Sequence, residues 1–175
     1  MPALIHKTDA QKVADIVRHA GGQVVGKTRL QKMAYLLEIT GLGDGFHFEY
    51  RHYGPYSEGL ADGIASAYFE DLISEEERTA NWGGTYSIFK TLSSPPGLNK
   101  VNTARKEILE VGVKANPISL ELAATAAFLA KEGHGDPWAE TSRRKPEKAE
   151  KFLEDAKALY AKLRDIKTPK QLPAI

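Results

Sequence analysis

Apolar residues recur at helical spacing along most of this chain, and two short stretches change the rhythm. Thr8-Asp-Ala-Gln11 has the spacing of a capping box, and Val13, Ile16, Val17 and Ala20 follow at intervals of three and four. Gly21-Gly22 predicts the end of that helix, because glycine takes a left-handed cap without steric penalty. A second capping box is expected at Thr28-Arg-Leu-Gln31, ahead of a stripe of Leu30, Met33, Ala34 and Leu37 that Leu36 and Ile39 widen. Past Gly41, Gly43 and Gly45 the period becomes two. Phe46, Phe48 and Tyr50 alternate with His47, Glu49 and Arg51, the signature of a half-buried strand. That strand is expected to stop near Tyr53, since Pro55 has no ladder donor. Ser57 predicts the N-cap of a helix through Leu60, Ile64, Ala67 and Tyr68. Leu72–Glu75 and Tyr86–Thr91 predict two strands joined by a loop containing Asn81-Trp-Gly-Gly84. Three more helices are expected at Thr103–Lys114, Ile118–Lys131 and Glu147–Leu163, with Pro117 and Pro146 in first turns. From Lys167 the chain reads as a loose tail.

The expected fold is mainly α with a small antiparallel hairpin or wing. A winged-helix-like part would occupy residues 1–94 and a C-terminal helical part, packed on it, residues 95–166. With the tail at 167–175 these would make one compact domain, and Ser93-Ser-Pro-Pro-Gly97 marks the boundary between the parts. A length of 175 residues is enough for a substantial core.

Composition removes several classes of function. No apolar run approaches the roughly 20 residues of a membrane span, and MPALIHKTDAQK lacks the basic-then-apolar order of a secretory signal. The absence of cysteine excludes disulfides and thiolate chemistry and fits a reducing cytoplasm, where the protein is expected. Net charge is only +1, but it is unevenly spread: residues 61–99 carry 2 basic and 6 acidic side chains, residues 100–175 carry 15 and 11.

Three patterns promise chemistry. Gly21 to Thr28 satisfies the P-loop pattern, in which amides cradle phosphates, lysine reaches the outer phosphates and threonine holds magnesium. That loop must follow a buried strand, whereas Lys12–Ala20 has helical period with Asp15, Arg18 and His19 interspersed; a helix junction accounts for every residue. His47, Glu49 and His52 have metal-ligating chemistry, but His52 falls on the opposite strand face, so no metal or other cofactor is expected. Ser87-Ile-Phe-Lys90 has the spacing of a serine acyl-enzyme, which requires a helix and here lies on an expected strand. His6, His19 and His134 have no acid at useful spacing and read as surface residues. No catalytic set emerges.

A helix followed by a wing also describes a DNA reader. The helix from Ser57 to Asp71 holds Glu58, Asp62, Glu70 and Asp71 without a lysine or arginine, and Glu75, Glu76 and Glu77 follow. Phosphate would repel that face. Arg143, Arg144, Lys145, Lys148 and Lys151, interleaved with Glu147 and Glu150, read as a solvated helix start. A different surface is expected around the second helix and the Tyr53-Gly-Pro-Tyr56 turn. There Arg29, Gln31, Lys32, Arg51, Tyr53, Gly54, Pro55 and Tyr56 are the candidate partner-binding residues, since Tyr and Arg anchor protein interfaces.

LQKMAYLLE, then FEYRHYGPYSEGLADGI and LISEE, resembles the bacterial YwgA-like proteins, relatives of the Panacea domain group that includes the SocA-type antitoxins. ELAATAAFLAKEG and RRKPEKAEKFLEDAKALY resemble that group's C-terminal helices. The resemblance implies a mostly helical, non-enzymatic protein that neutralises a toxin by direct binding or delivers it to a protease. It points to Leu30, Gln31, Lys32, Tyr53, Gly54 and Pro55 as the shared positions.

Overall fold

Residues 6–92 and 101–175 are described in a computed structural model; the boundary expected at residues 93–97 lies outside them. In chain order the elements are α1 (Asp9–His19), β1 (Gln23–Val25), α2 (Lys27–Ile39), β2 (Glu49–Arg51), β3 (Gly54–Tyr56), α3 (Glu58–Phe69), β4 (Ile73–Thr79), β5 (Thr85–Thr91), α4 (Thr103–Lys114), α5 (Pro117–Lys131), α6 (Pro137–Arg144) and α7 (Pro146–Arg164). The protein is mainly α with a small antiparallel β part. Strands β1, β5 and β4 form one sheet in that order, and β2 and β3 form a separate hairpin. The succession α1, β1, α2, α3, β4, β5 has winged-helix connectivity, with the β2–β3 hairpin inserted between α2 and α3. No helix among the described residues is long and apolar enough to cross a membrane.

Two helices form the centre. Every residue of α2 from Leu30 to Leu37 is buried, as is every residue of α5 from Ser119 to Ala127. The alanines at 123, 124, 126 and 127 keep α5 slim, so α2 and α7 pack closely on it. On α4, a Cβ at Gly112 would come within 2.6 Å of the Met33 side chain, so that helix needs glycine to lie against α2. Leu30 and Leu36, Ile108 and Leu120, and Leu172 near the C-terminus belong to one continuous core.

The Thr8 capping box forms: Thr8 Oγ1 accepts from the Gln11 amide at 3.2 Å, and Gln11 Oε1 accepts from the Thr8 amide at 2.9 Å. The box expected at Thr28 does not. Helix α2 starts after Gly26, which offers no capping side chain, and the Gln31 amide is occupied elsewhere. Gln23–Val25 is a strand, too short to show a period, and pairs with Lys90–Ile88 of β5. Pro55 lies inside a strand, opposite Tyr50. A two-stranded ribbon tolerates this because alternate residues point their main-chain groups away from the partner strand. Helix α6 was not expected. Asp136 caps it, Pro137 opens it, and buried Trp138 packs edge-on to Tyr160 at 5.7 Å, but eight residues are too few to show a helical pattern.

The C-terminal segment is docked, not loose. Leu172 is buried in the core, the Tyr160 hydroxyl donates to the Pro173 carbonyl at 2.6 Å, and the Lys170 amide donates to the Thr40 carbonyl at 3.0 Å. Burial of Leu172 and the two hydrogen bonds act together to hold the segment, and its prolines reduce the entropy lost on ordering it. Leu172→Ala is expected to lower the unfolding free energy by about 2–4 kcal/mol in urea titration; a change below about 0.5 kcal/mol would mean that the segment contributes no packing.

Arg105, buried on α4, ties the two halves together. Its guanidinium donates to the Leu42 carbonyl at 2.7 Å, to the Asp44 carboxylate at 3.2 Å and to His19 Nδ1 at 3.0 Å. His19 is therefore half-buried and not a surface residue. Arg105 and Arg18 can only donate, and they face Nδ1 at 3.0 Å and Nε2 at 3.2 Å, so both sides of the ring disfavour its protonated form. Burial, then the positive charges of Arg105 and Arg18, push the His19 pKa from 6.5 down to about 4. Between those values the unfolded chain binds a proton that the folded chain refuses, so folding stability falls as the pH is lowered through that window. Thermal melts from pH 7 to pH 4 should show a smaller loss for His19→Gln than for the parent protein.

Candidate functional site

A cleft of about 500 Å³ lies between the start of α2, the β2–β3 hairpin, α3 and β4. Its floor is set by two polar side chains on the buried face of α2. Gln31 behaves as a strand would: its oxygen accepts from the Ser57 amide at 2.8 Å and its nitrogen donates to the Ser57 carbonyl at 2.9 Å. Two residues before Ser57, the Pro55 carbonyl accepts from Lys32 Nζ at 2.8 Å. These bonds pin the end of the hairpin and the start of α3 to the central helix. Ala61 and Ile64 of α3 supply an apolar wall, and Glu75 of β4 closes the far side.

The hairpin is held on its other face by aromatic packing. Phe48 lies edge-on to Tyr35 at 5.2 Å, and Tyr50 packs on Phe128 at 5.9 Å. The alternation read from residues 46 to 51 thus gives the correct inward face, although only Glu49–Arg51 has a strand partner. Gly54 makes this approach possible. Its φ is +92°, and a Cβ there would lie 2.4 Å from Thr125 Oγ1 on α5.

Charge beneath the hairpin is unbalanced. Glu121 of α5 is buried and accepts from Lys148 Nζ at 2.8 Å, with Lys145 Nζ 3.4 Å away. Lys145 also donates to the His52 carbonyl at 3.1 Å, and Lys148 lies over the Tyr53 ring at 5.0 Å. The basic stretch expected to be solvated is therefore partly turned inward, because a buried carboxylate recruits its two nearest ammonium groups. Arg143 and Arg144 instead clasp Glu140. Lys32 pairs with no carboxylate within 4 Å among the described residues. Burial, opposed by the field of Glu121 and reinforced by Lys145 and Lys148, lowers its pKa to about 8.

The candidate partner-binding residues separate into two sets. Arg51, Tyr53 and Tyr56 border the cleft; Arg51 and Tyr53 are about half-exposed at its rim, and Arg51 stacks over Tyr56 at 5.2 Å. Exposed His52, which sequence reasoning did not place among them, sits beside Tyr53 at the hairpin tip. Gln31, Lys32, Gly54 and Pro55 are buried. Lys32, expected to contact a partner, is instead buried, because α2 is covered all round from Leu30 to Leu37 and its polar side chains there are spent on main chain. Arg29 is likewise structural: it donates to the carbonyls of Val25, Gly112 and Ala115, closing the end of α4.

Of the other patterns, Gly21 to Thr28 runs from the end of α1 through β1 into α2, so a helix and not a buried strand precedes it. Lys27 Nζ lies 4.0 Å from Glu75. Ser87 and Lys90 fall on opposite faces of β5, and the Ser87 hydroxyl donates to Glu75. Among the described residues no group of three or more His, Asp or Glu side chains converges as a metal site.

Comparison with protein-family models, curated proteins and solved structures returns no match to this chain.

Replacing Glu121 by Gln would leave Lys145 and Lys148 beside a neutral amide in a buried setting. It is expected to lower stability by about 3 kcal/mol. Glu140→Gln, at an exposed ion pair, should change stability by less than about 1 kcal/mol in the same denaturation assay.

Proposed function

We propose that this protein is a non-catalytic, cytoplasmic protein-binding module, antitoxin-like in that it neutralises or escorts a partner protein by direct contact. The observation that carries this reading is the open cleft with an apolar α3 wall and Arg51, His52 and Tyr53 presented at its rim on a rigid hairpin. Large amphipathic side chains held on a rigid support lose little entropy on binding and dominate interface energies. The resemblance to the SocA-type antitoxins supports the same reading. Co-expression with the products of adjacent open reading frames should yield a stable complex or relieve that product's toxicity. Tyr53→Ala should weaken the complex at least tenfold while leaving the melting temperature within a few degrees. If no neighbouring product copurifies or loses toxicity, the antitoxin reading fails.

Winged-helix connectivity favours one other reading, a transcriptional regulator. The charge on the corresponding surface opposes it: α3 has Glu58 and Asp62 without a basic residue, and β4 exposes Glu76 and Glu77. Salt-sensitive retention of the protein's own upstream DNA in a low-salt gel shift would favour the regulator over the protein-binding module.

A further inference from the structure

We propose that the floor of the cleft is a carboxylate subsite, in which Lys32 receives an acidic side chain, aspartate or glutamate, projected by the bound protein. The proposal rests on the protein-binding reading and names the chemistry of the partner.

Lys32 is 2% exposed, yet it borders the cleft. Its ammonium has three donors and one acceptor, the Pro55 carbonyl. Burying an ammonium with so little compensation is expensive, and proteins keep such groups mostly where they act. The surrounding acids are committed elsewhere. Behind it, Glu121 is already shared by Lys145 and Lys148. Around the cleft, Arg51 is matched by Glu49 and Glu58, and Glu75 lies 4.0 Å from Lys27 and accepts from Ser87. His52 at the rim adds no negative charge. A positive charge therefore remains at the floor that no carboxylate within 4 Å balances among the described residues.

A second feature points the same way. The first turn of α2, Lys27 and Thr28, borders the same cleft. That turn has neither a capping side chain nor an acidic residue, so its free amide groups add partial positive charge. The cleft thus offers an ammonium at its floor, a helix start along one side and an apolar wall opposite. An acidic side chain flanked by apolar atoms matches all three. A cognate carboxylate would supply the missing counter-charge, and for that reason it would raise the Lys32 pKa from about 8.

The test uses the intact protein and N-acetyl-glutamate α-amide as probe, with N-acetyl-glutamine α-amide as the neutral control and N-acetyl-glycine as a chain-terminal carboxylate. The Lys32 Cε resonance is followed by NMR from pH 6 to pH 11. The acidic probe should bind at pH 7, shift the Lys32 midpoint upward by about one unit, and lose affinity about eightfold by pH 10. The neutral control should do neither. Equal responses to the acidic and neutral probes, or no movement of the Lys32 midpoint, would overturn the proposal; stronger binding of N-acetyl-glycine would overturn the choice of a side chain over a chain terminus. These measurements require no variant, so they hold even if Lys32→Met folds poorly. If Lys32→Met folds and a copurifying partner binds it as tightly as the parent, the subsite falls while the protein-binding reading stands. Probe binding without any copurifying partner would have the opposite meaning.

Discussion

A helix covered on every side has nowhere to put its polar residues except against other main chain, and α2 obeys that constraint at two consecutive positions. Gln31 replaces the partner strand that Ser57 lacks, and Lys32 takes the outward carbonyl of Pro55. An unmatched buried amide or carbonyl costs on the order of 1–3 kcal/mol, so these side chains fix where the hairpin and α3 lie. The cleft is the space left between elements positioned this way. Its floor is consequently polar and its α3 wall apolar.

The remaining long-range polar contacts follow the same logic of charge meeting main chain or a single acid. Arg105 gathers the loop after α2 and the end of α1 onto α4, and Arg29 closes the end of α4 from α2. Lys145 and Lys148 join the start of α7 to Glu121 and to the hairpin tip. These links connect the winged-helix-like part to the C-terminal helices through groups whose desolvation is offset only in the assembled fold. Beneath these links one apolar core runs from Ala10 to Leu172.

Much of the fold was legible because local rules decide it. The Thr8 box, the Ser57 cap, the helix at Thr103–Lys114 and strand β5 follow from capping chemistry and period alone, whereas β4 continues past the expected Glu75 to Thr79 because β5 pairs with it that far. What could not be read shares one cause. A three-residue strand and an eight-residue helix are too short to carry a period, and Leu172 looks like any terminal leucine until its pocket between α7 and the loop after α2 exists. The candidate site was half legible. Tyr53, Arg51 and Tyr56 were marked by residue type, and they do border one cleft. The burial of Lys32 was not legible, because helical spacing tells which residues share a side, not how many sides are covered. Its neighbours Glu121 and Lys145, far along the chain, gave no sign of convergence.

Buried supports and exposed side chains fall on different residues of this cleft. The buried set, Gln31, Gly54 and Pro55, fixes the frame and tolerates little change, whereas the side chains of the rim at residues 51 to 53 make only surface ion-pair and cation–π contacts in addition to their backbone links. The rim can therefore vary while the scaffold stays constant. Under the proposed protein-binding reading, changes at these three adjacent codons would alter the surface offered to a partner without refolding the centre.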